Sequence, residues 1–181
     1  MIDTLLQVRS VDQNTDCFNI GTGFEAIGRN DSEDYWENQP YIYDVKLALN
    51  NSIFVGGGFN AYNRKPIKGG GNPIGPCMLK IKQDGTVDTT FTNYGFGDDG
   101  QSFGIRTIEE QSDGKIMVGG SFTTYSGQTL GRIVRLNSTG TIDNTFNTGT
   151  GFNSQVNDIE IQSDGKYVCT GLSLIHISEP T

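Results

Sequence analysis

One sixteen-residue phrase occurs three times in this chain, and its recurrence restricts the fold more than any other feature. Residues 42–57 (IYDVKLALNNSIFVGG), 105–120 (IRTIEEQSDGKIMVGG) and 156–171 (VNDIEIQSDGKYVCTG) align without a gap, at offsets of 63 and then 51 positions. A unit of about 50 to 60 residues cannot enclose its own apolar face, so it stacks on copies of itself; periods of this size belong to propellers, solenoids and arrays. A second phrase repeats in phase, residues 78–91 (MLKIKQDGTVDTTF) matching 133–146 (IVRLNSTGTIDNTF) at an offset of 55. A third element, Phe18-Asn-Ile-Gly-Thr-Gly-Phe24, returns as Phe146-Asn-Thr-Gly-Thr-Gly-Phe152, with Phe91-Thr-Asn-Tyr-Gly-Phe96 as a shorter relative. Three unequal blocks result, and the first is longer because it carries extra loops near 28–40 and 64–76.

Within the first phrase the apolar positions Val45 and Leu47, like Ile159 and Ile161, alternate with polar ones, as a half-buried strand requires. Ser112-Asp113-Gly114-Lys115 and Ser163-Asp164-Gly165-Lys166 then place Asp-Gly between two β-like runs. That dipeptide predicts a tight hairpin with both central residues at positive φ, and Asn50-Asn51 takes its place in the first block. The returning strands 53–55, 116–118 and 167–169 end at glycine pairs in two copies and at Thr170-Gly171 in the third. Glycine there predicts close approach between neighbouring units. The second phrase supplies a third strand over 78–82 and 133–137, followed by a short fourth strand or extended turn at 86–88 and 141–143. Phe59 and Phe122, then Phe91 and Phe146, recur at equivalent places and are expected to fill the space between adjacent sheets. The fold class these signals predict is all-β, a β-propeller-like repeat array of about two and a half antiparallel blades.

Composition agrees and removes several function classes. At 181 residues, 34% hydrophobic with 25 glycines, the chain suits short strands joined by many turns within one domain. A formal net charge of −8 argues against a nucleic-acid partner, which needs a clustered basic surface. Cys17, Cys77 and Cys169 are odd in number and lack metal or disulfide spacing, so they read as small buried hydrophobes; Cys169 aligns with Val118 and Val55. Neither a signal peptide nor a membrane span is visible in the sequence.

No residue is nominated as catalytic and no cofactor or metal is expected. A nucleophile needs a base beside it, and the sole histidine, His176, lies in a terminal stretch of doubtful origin. The acidic clusters 31–34 and 98–100 lack calcium-loop spacing and read as solvated loops. The loop 31–43 (DSEDYWENQPYIY) concentrates Tyr35, Trp36, Tyr41 and Tyr43 among polar groups. That mixture suits sugar stacking or a protein contact, and equally suits local packing against a sheet edge.

Gln-Ser-Asp-Gly-Lys at 111–115, Val-Gly-Gly-Ser-Phe at 118–122, Arg135-Leu136-Asn137 and the Asp143-x-x-Phe146-Asn147 run together resemble the delta-60 repeat family. The resemblance covers about residues 18–171. It implies a β-propeller-like fold, an origin among large surface or secreted bacterial proteins and phage or viral particles, and no catalysis by the repeat itself. Kelch propellers are a weaker match, and the first block departs most through Asn50-Asn51 and its insertions.

The chain therefore divides into a partial leading segment 1–17, a repeat region 18–171 with units at about 18–90, 91–145 and 146–171, and a tail 172–181. That tail resembles the translation of a transposase adapter from a sequencing library and is left out of the fold. The expected role is a structural or binding module at a cell surface, outside the cell or on a virion fibre. Its expected partners are a glycan or protein and the neighbouring blades of a longer chain. Two alternatives stay open: an accessory propeller of an enzyme whose catalytic site lies elsewhere, and an intracellular protein-interaction scaffold.

Overall fold

The computed structural model describes residues 23–25, 40–59, 61–63, 65–67, 76–97 and 104–172. The first block forms β1 (Phe24–Glu25), β2 (Tyr41–Leu47), β3 (Ile53–Gly58), β4 (Ala61–Tyr62), β5 (Lys65–Pro66) and β6 (Pro76–Ile81). The second forms β7 (Phe96–Gly97), β8 (Ile105–Glu110), β9 (Ile116–Gly120), β10 (Thr124–Tyr125), β11 (Gln128–Thr129) and β12 (Ile133–Leu136); the third forms β13 (Val156–Ile161) and β14 (Tyr167–Gly171). Each of the first two blocks builds a main antiparallel sheet, β2-β3-β6 or β8-β9-β12, and a small one, β1-β4-β5 or β7-β10-β11. The third contributes the hairpin β13-β14. This is an all-β arrangement of several small antiparallel sheets, consistent with propeller blades, and among the described residues no barrel closes. Nor, among those residues, is any helix long and apolar enough to cross a membrane. Of the short fourth strand or extended turn expected next, the turn forms, with a single bridge in each full unit, Ile81 to Val87 and Leu136 to Ile142.

The Asp-Gly hairpins form where the sequence puts them, but with a different turn. Gln111 N–H donates to Lys115 O at 2.8 Å and Gly114 N–H to Gln111 O at 2.9 Å. Only Gly114 has positive φ, so the loop is a β-turn closed by a left-handed residue rather than a two-residue turn with both central residues left-handed. Asp113 instead accepts the Lys115 amide on its own carboxylate at 3.1 Å, a local bond open to short Asp and Asn side chains. The same pair of backbone bonds closes 48–52, 82–86, 137–141 and 162–166. In the first of these Asn51 takes the left-handed place at φ 61°, a residue type that tolerates it, while Asn50 accepts the Ser52 amide.

Units meet through a seat that only glycine leaves open. The glycine pairs lie inside β3 and β9 rather than beyond their ends. A Cβ on Gly56 would stand 2.7 Å from Ile105 Cγ2 and 2.8 Å from Ile108 Cδ1 of the next unit. One on Gly119 would stand 2.8 Å from Val156 Cγ1 and 2.9 Å from Ile159 Cδ1 of the unit after that. Such distances forbid a side chain, so the predicted crowding is real and repeats. At the same contact β2 runs beside β8 and β8 beside β13. Asp44 Oδ2 accepts the Ile108 amide at 2.6 Å, and Thr107 Oγ1, its counterpart one unit on, accepts the Ile159 amide at 3.2 Å. Burial pushes the Asp44 carboxyl above its usual value, with the Ile108 amide opposing.

Aromatic rings fill the space between sheets, as expected. Phe59 and Phe122 are fully buried, each edge-on to a partner ring: Phe24 at 4.7 Å and Phe96 at 4.9 Å between centroids. Phe91 packs on Phe54, and Phe146 on Tyr167. Tyr62 and Tyr125 complete each set by donating to the carbonyls of Gly85 at 2.9 Å and Gly140 at 2.6 Å, which ties each small sheet to a turn of its own unit. Cys77 is buried in β6 and Cys169 half-buried opposite Ile159, and both are free thiols; Cys17 lies outside the described residues. Opposed charges lock the second phrase. Asp143 accepts from Arg135 Nε at 2.8 Å and from the Thr145 hydroxyl at 2.7 Å, with Lys115 Nζ at 3.1 Å. Lys80 and Asp88 stand in the same places one unit earlier, 3.9 Å apart.

Phe122→Ala is expected to cost about 3 to 5 kcal/mol, read from the midpoint of chemical unfolding. Gly119→Val is expected to cost about 1 to 3 kcal/mol through overpacking, with amide protection lost first in β13 and β14 and retained in β3. Hydrogen bonds from Thr145, and then Lys115 and Arg135, hold the Asp143 carboxyl well below the usual carboxylate range. Its stabilisation is therefore complete above about pH 4 and is lost as pH falls towards the lower folded-state value. Asp143→Asn is expected to lower stability at neutral pH and to flatten the acid side of a melting-temperature profile.

Candidate functional site

A bulge recurs at the start of each unit and pushes one residue out of the ladder. The register shifts between Ile42 and Asp44, between Ile105 and Thr107, and between Val156 and Asp158. The residue skipped each time is Tyr43, Arg106 or Asn157, three aligned positions of the repeat. A bulged residue is released from cross-strand pairing and its side chain is re-aimed. Because the first strands of successive units run side by side, the bulged positions sit at equivalent places on adjacent strands, and the Tyr43 and Arg106 side chains meet in one row.

That row has definite chemistry. The Arg106 guanidinium carbon lies 4.5 Å from the Tyr43 ring centroid, in the geometry of a cation–π contact. Tyr41 stacks beside Tyr43 with centroids 6.3 Å apart and planes 13° from parallel. Both tyrosines are about two-fifths exposed. Burial pushes the Tyr43 phenol up from its ordinary value and the Arg106 charge pulls it part of the way back. Arg106 Nε is buried with no hydrogen-bond partner. In the third unit Gln155 donates to Asn157 Oδ1 at 3.0 Å. The surface can stack a flat or ring-shaped group, donate to an oxygen and complement a negative charge.

Of the four aromatic residues the sequence singles out, Tyr41 and Tyr43 come together here, on strand β2 rather than on a loop. Tyr35 and Trp36 lie outside the described residues, as do the acidic clusters 31–34 and 98–100 and His176. Arg106 was missed because no motif surrounds it; its alignment with Tyr43 was the available signal, and the bulge that gives that alignment meaning is a backbone feature. A second, shallow cleft is lined by Tyr94, Ser126, Gln128, Thr141 and Asn144, beside Tyr125 and Ile142, with no charged side chain. Among the described residues no group of three or more His, Cys, Asp or Glu side chains could hold a metal ion. Burial pushes the Cys77 thiol up to about 12, which leaves it inert as a nucleophile at neutral pH.

Comparison with known proteins agrees with the fold. Residues 111–146 match a family model described as a domain of unknown function (DUF5122) beta-propeller. The match spans the Asp-Gly turn, the Gly119 seat and the Asp143 turn of the second unit, and it bears out the resemblance to delta-60 repeats over that stretch. Neither the curated proteins nor the solved structures contain a match to the chain.

With the arginine charge removed, the Tyr43 phenolate loses its stabilisation. Arg106→Ala is expected to raise the Tyr43 pKa, followed by pH titration of the ring-carbon signals in NMR, while the signals of Tyr125, buried in another sheet, hold their position.

Proposed function

We propose that this chain is a non-catalytic binding module that recognises a glycan through the Tyr41–Tyr43–Arg106 face, within a repeat protein displayed at a cell surface, secreted or carried on a virion fibre. The single observation behind this reading is the exposed, stacked tyrosine pair with a guanidinium over one ring. Tyrosine faces present rigid apolar area at little cost in conformational entropy, which suits the flat side of a sugar ring. The guanidinium, held over the Tyr43 ring, suits a sugar carboxylate or an array of ring oxygens. Neighbouring blades are its other partners, because the unit repeats by stacking. An extended protein segment is the second occupant the same face suits.

A glycan array probed with the purified chain is expected to show binding enriched in acidic sugars. Tyr43→Ala is expected to weaken the best ligand at least about tenfold by calorimetry, or about 1.4 kcal/mol. Unchanged affinity in that variant, or no binding to any arrayed glycan, would reject the reading.

A further inference from the structure

We infer that the cleft beside Tyr94 in the second unit is a separate site, one that takes the terminal ring of a neutral glycan. The cleft, about 260 Å³, lies between the small sheet β7-β10-β11 and the turns that follow β12. That is below the roughly 300 to 1,000 Å³ of pockets that enclose drug-sized ligands, so it holds one ring-sized group and no longer segment. Its lining differs from the Tyr43–Arg106 face: an exposed aromatic, hydroxyls and two side-chain amides, with no charge.

The lining keeps to the repeat where the frame uses a residue and departs from it elsewhere. Tyr125 binds the Gly140 carbonyl, Thr141 closes its turn through the Asn137 amide, and Ile142 makes the bridge to Leu136. Their counterparts one unit earlier are Tyr62, Thr86 and Val87, nearly the same types. Tyr94, by contrast, stands where the other two copies of the Phe-Gly element carry Thr22 and Thr150, Gln128 where the first unit has Lys65, and Asn144 where it has Thr89. Ser126 replaces Asn63, and here the consequence is visible. Both hold a left-handed place, at φ 52° and 50°, and both donate their amide to a glycine carbonyl, Gly95 or Gly23. Asn63 Oδ1 also accepts the Gly23 amide at 3.2 Å, whereas Asn93 Oδ1 accepts the Gly95 amide at 2.9 Å in the second unit. Ser126 is thereby relieved of that bond, and its shorter side chain leaves open the volume an asparagine would fill. Asparagine suits a left-handed place better than serine, so the turn itself does not ask for the exchange.

The chemistry of the lining selects the occupant. Tyr94 is 43% exposed yet anchored, its amide donating to the Tyr125 hydroxyl at 3.3 Å and its ring edge-on to the Tyr125 ring at 6.4 Å between centroids. A tyrosine held this way offers apolar area at little cost in conformational entropy. Gln128, Asn144 and Ser126 are exposed, and among the described residues their side chains meet no hydrogen-bond partner. A side-chain amide donates and accepts side by side, which matches neighbouring sugar hydroxyls that each do both. A carboxylate or phosphate would find no cation in this lining, so acidic sugars and nucleotides fit it poorly.

NMR titration of the isotopically labelled 181-residue chain tests this, with the methyl glycosides of glucose, galactose, mannose and N-acetylglucosamine as probes and sialic acid and adenosine as contrasts. At least one neutral glycoside is expected to shift the side-chain amide signals of Gln128 and Asn144 saturably, and neither contrast to do so. Tyr94→Ala is expected to raise the dissociation constant at least about tenfold. Ser126→Asn, which installs the first unit's residue where asparagine is well tolerated, is expected to close the cleft and abolish the shifts while the melting temperature holds or rises. Tyr43→Ala is expected to leave them unchanged, which separates the fate of this site from that of the Tyr43–Arg106 face. No shift with any of these glycosides, tighter binding of sialic acid or adenosine, or shifts that survive both Tyr94→Ala and Ser126→Asn would overturn the inference.

Discussion

The whole arrangement depends on one steric fact: two aliphatic side chains of each following unit occupy the volume that a Cβ would need at Gly56 and Gly119. A unit's main sheet is too small to bury both faces by itself, so it is stable only with a neighbour pressed against it. The missing side chain allows the sheets to close to ordinary van der Waals contact at the point where their first strands run together. Edge hydrogen bonds accepted by Asp44 and Thr107 then fix the sliding register, because each receives one particular amide of the next unit. Packing sets the distance between units and polar bonds set their alignment.

Much of this was legible in the sequence, for reasons that can be named. The phrase repeats because each copy meets the same demands. Residues 108, 118 and 134 are apolar because they share one buried face, and positions 56 and 119 are glycine because they face the knobs. The turns were placed correctly and typed wrongly. Asp113 and Asp164 read as left-handed partners of glycine, but their carboxylates bond forward to the backbone and keep them on the right-handed side. The residue types permit either geometry; strand pairing chooses between them. Of the short fourth strand or extended turn read at 86–88 and 141–143, the turn is what forms: Val87 and Ile142 each make one bridge before the chain turns at Asp88 and Asp143.

Legibility was lowest at the bulged positions. Tyr43, Arg106 and Asn157 share no chemistry, so alignment alone gives them no common purpose. Their shared feature is an irregularity of the backbone, and it leaves only an indirect trace in the residues. The buried tyrosines are a different case. Phe59-x-x-Tyr62 and Phe122-x-x-Tyr125 are written plainly in the chain, and their link to the Gly85 and Gly140 carbonyls makes them part of the repeat.

The bulge separates two kinds of inheritance. Ile105, Ile108, Val156 and Ile159 on the first strands answer to a neighbouring sheet, so exchange there disturbs the stack. The bulged residue is released from cross-strand pairing, which lets an aromatic, a cation and an amide hold the same rank in successive units. A stack of this design can change that one letter from unit to unit while the glycine seats stay as they are, and a longer array would carry a longer strip of such free letters on an unchanged rail.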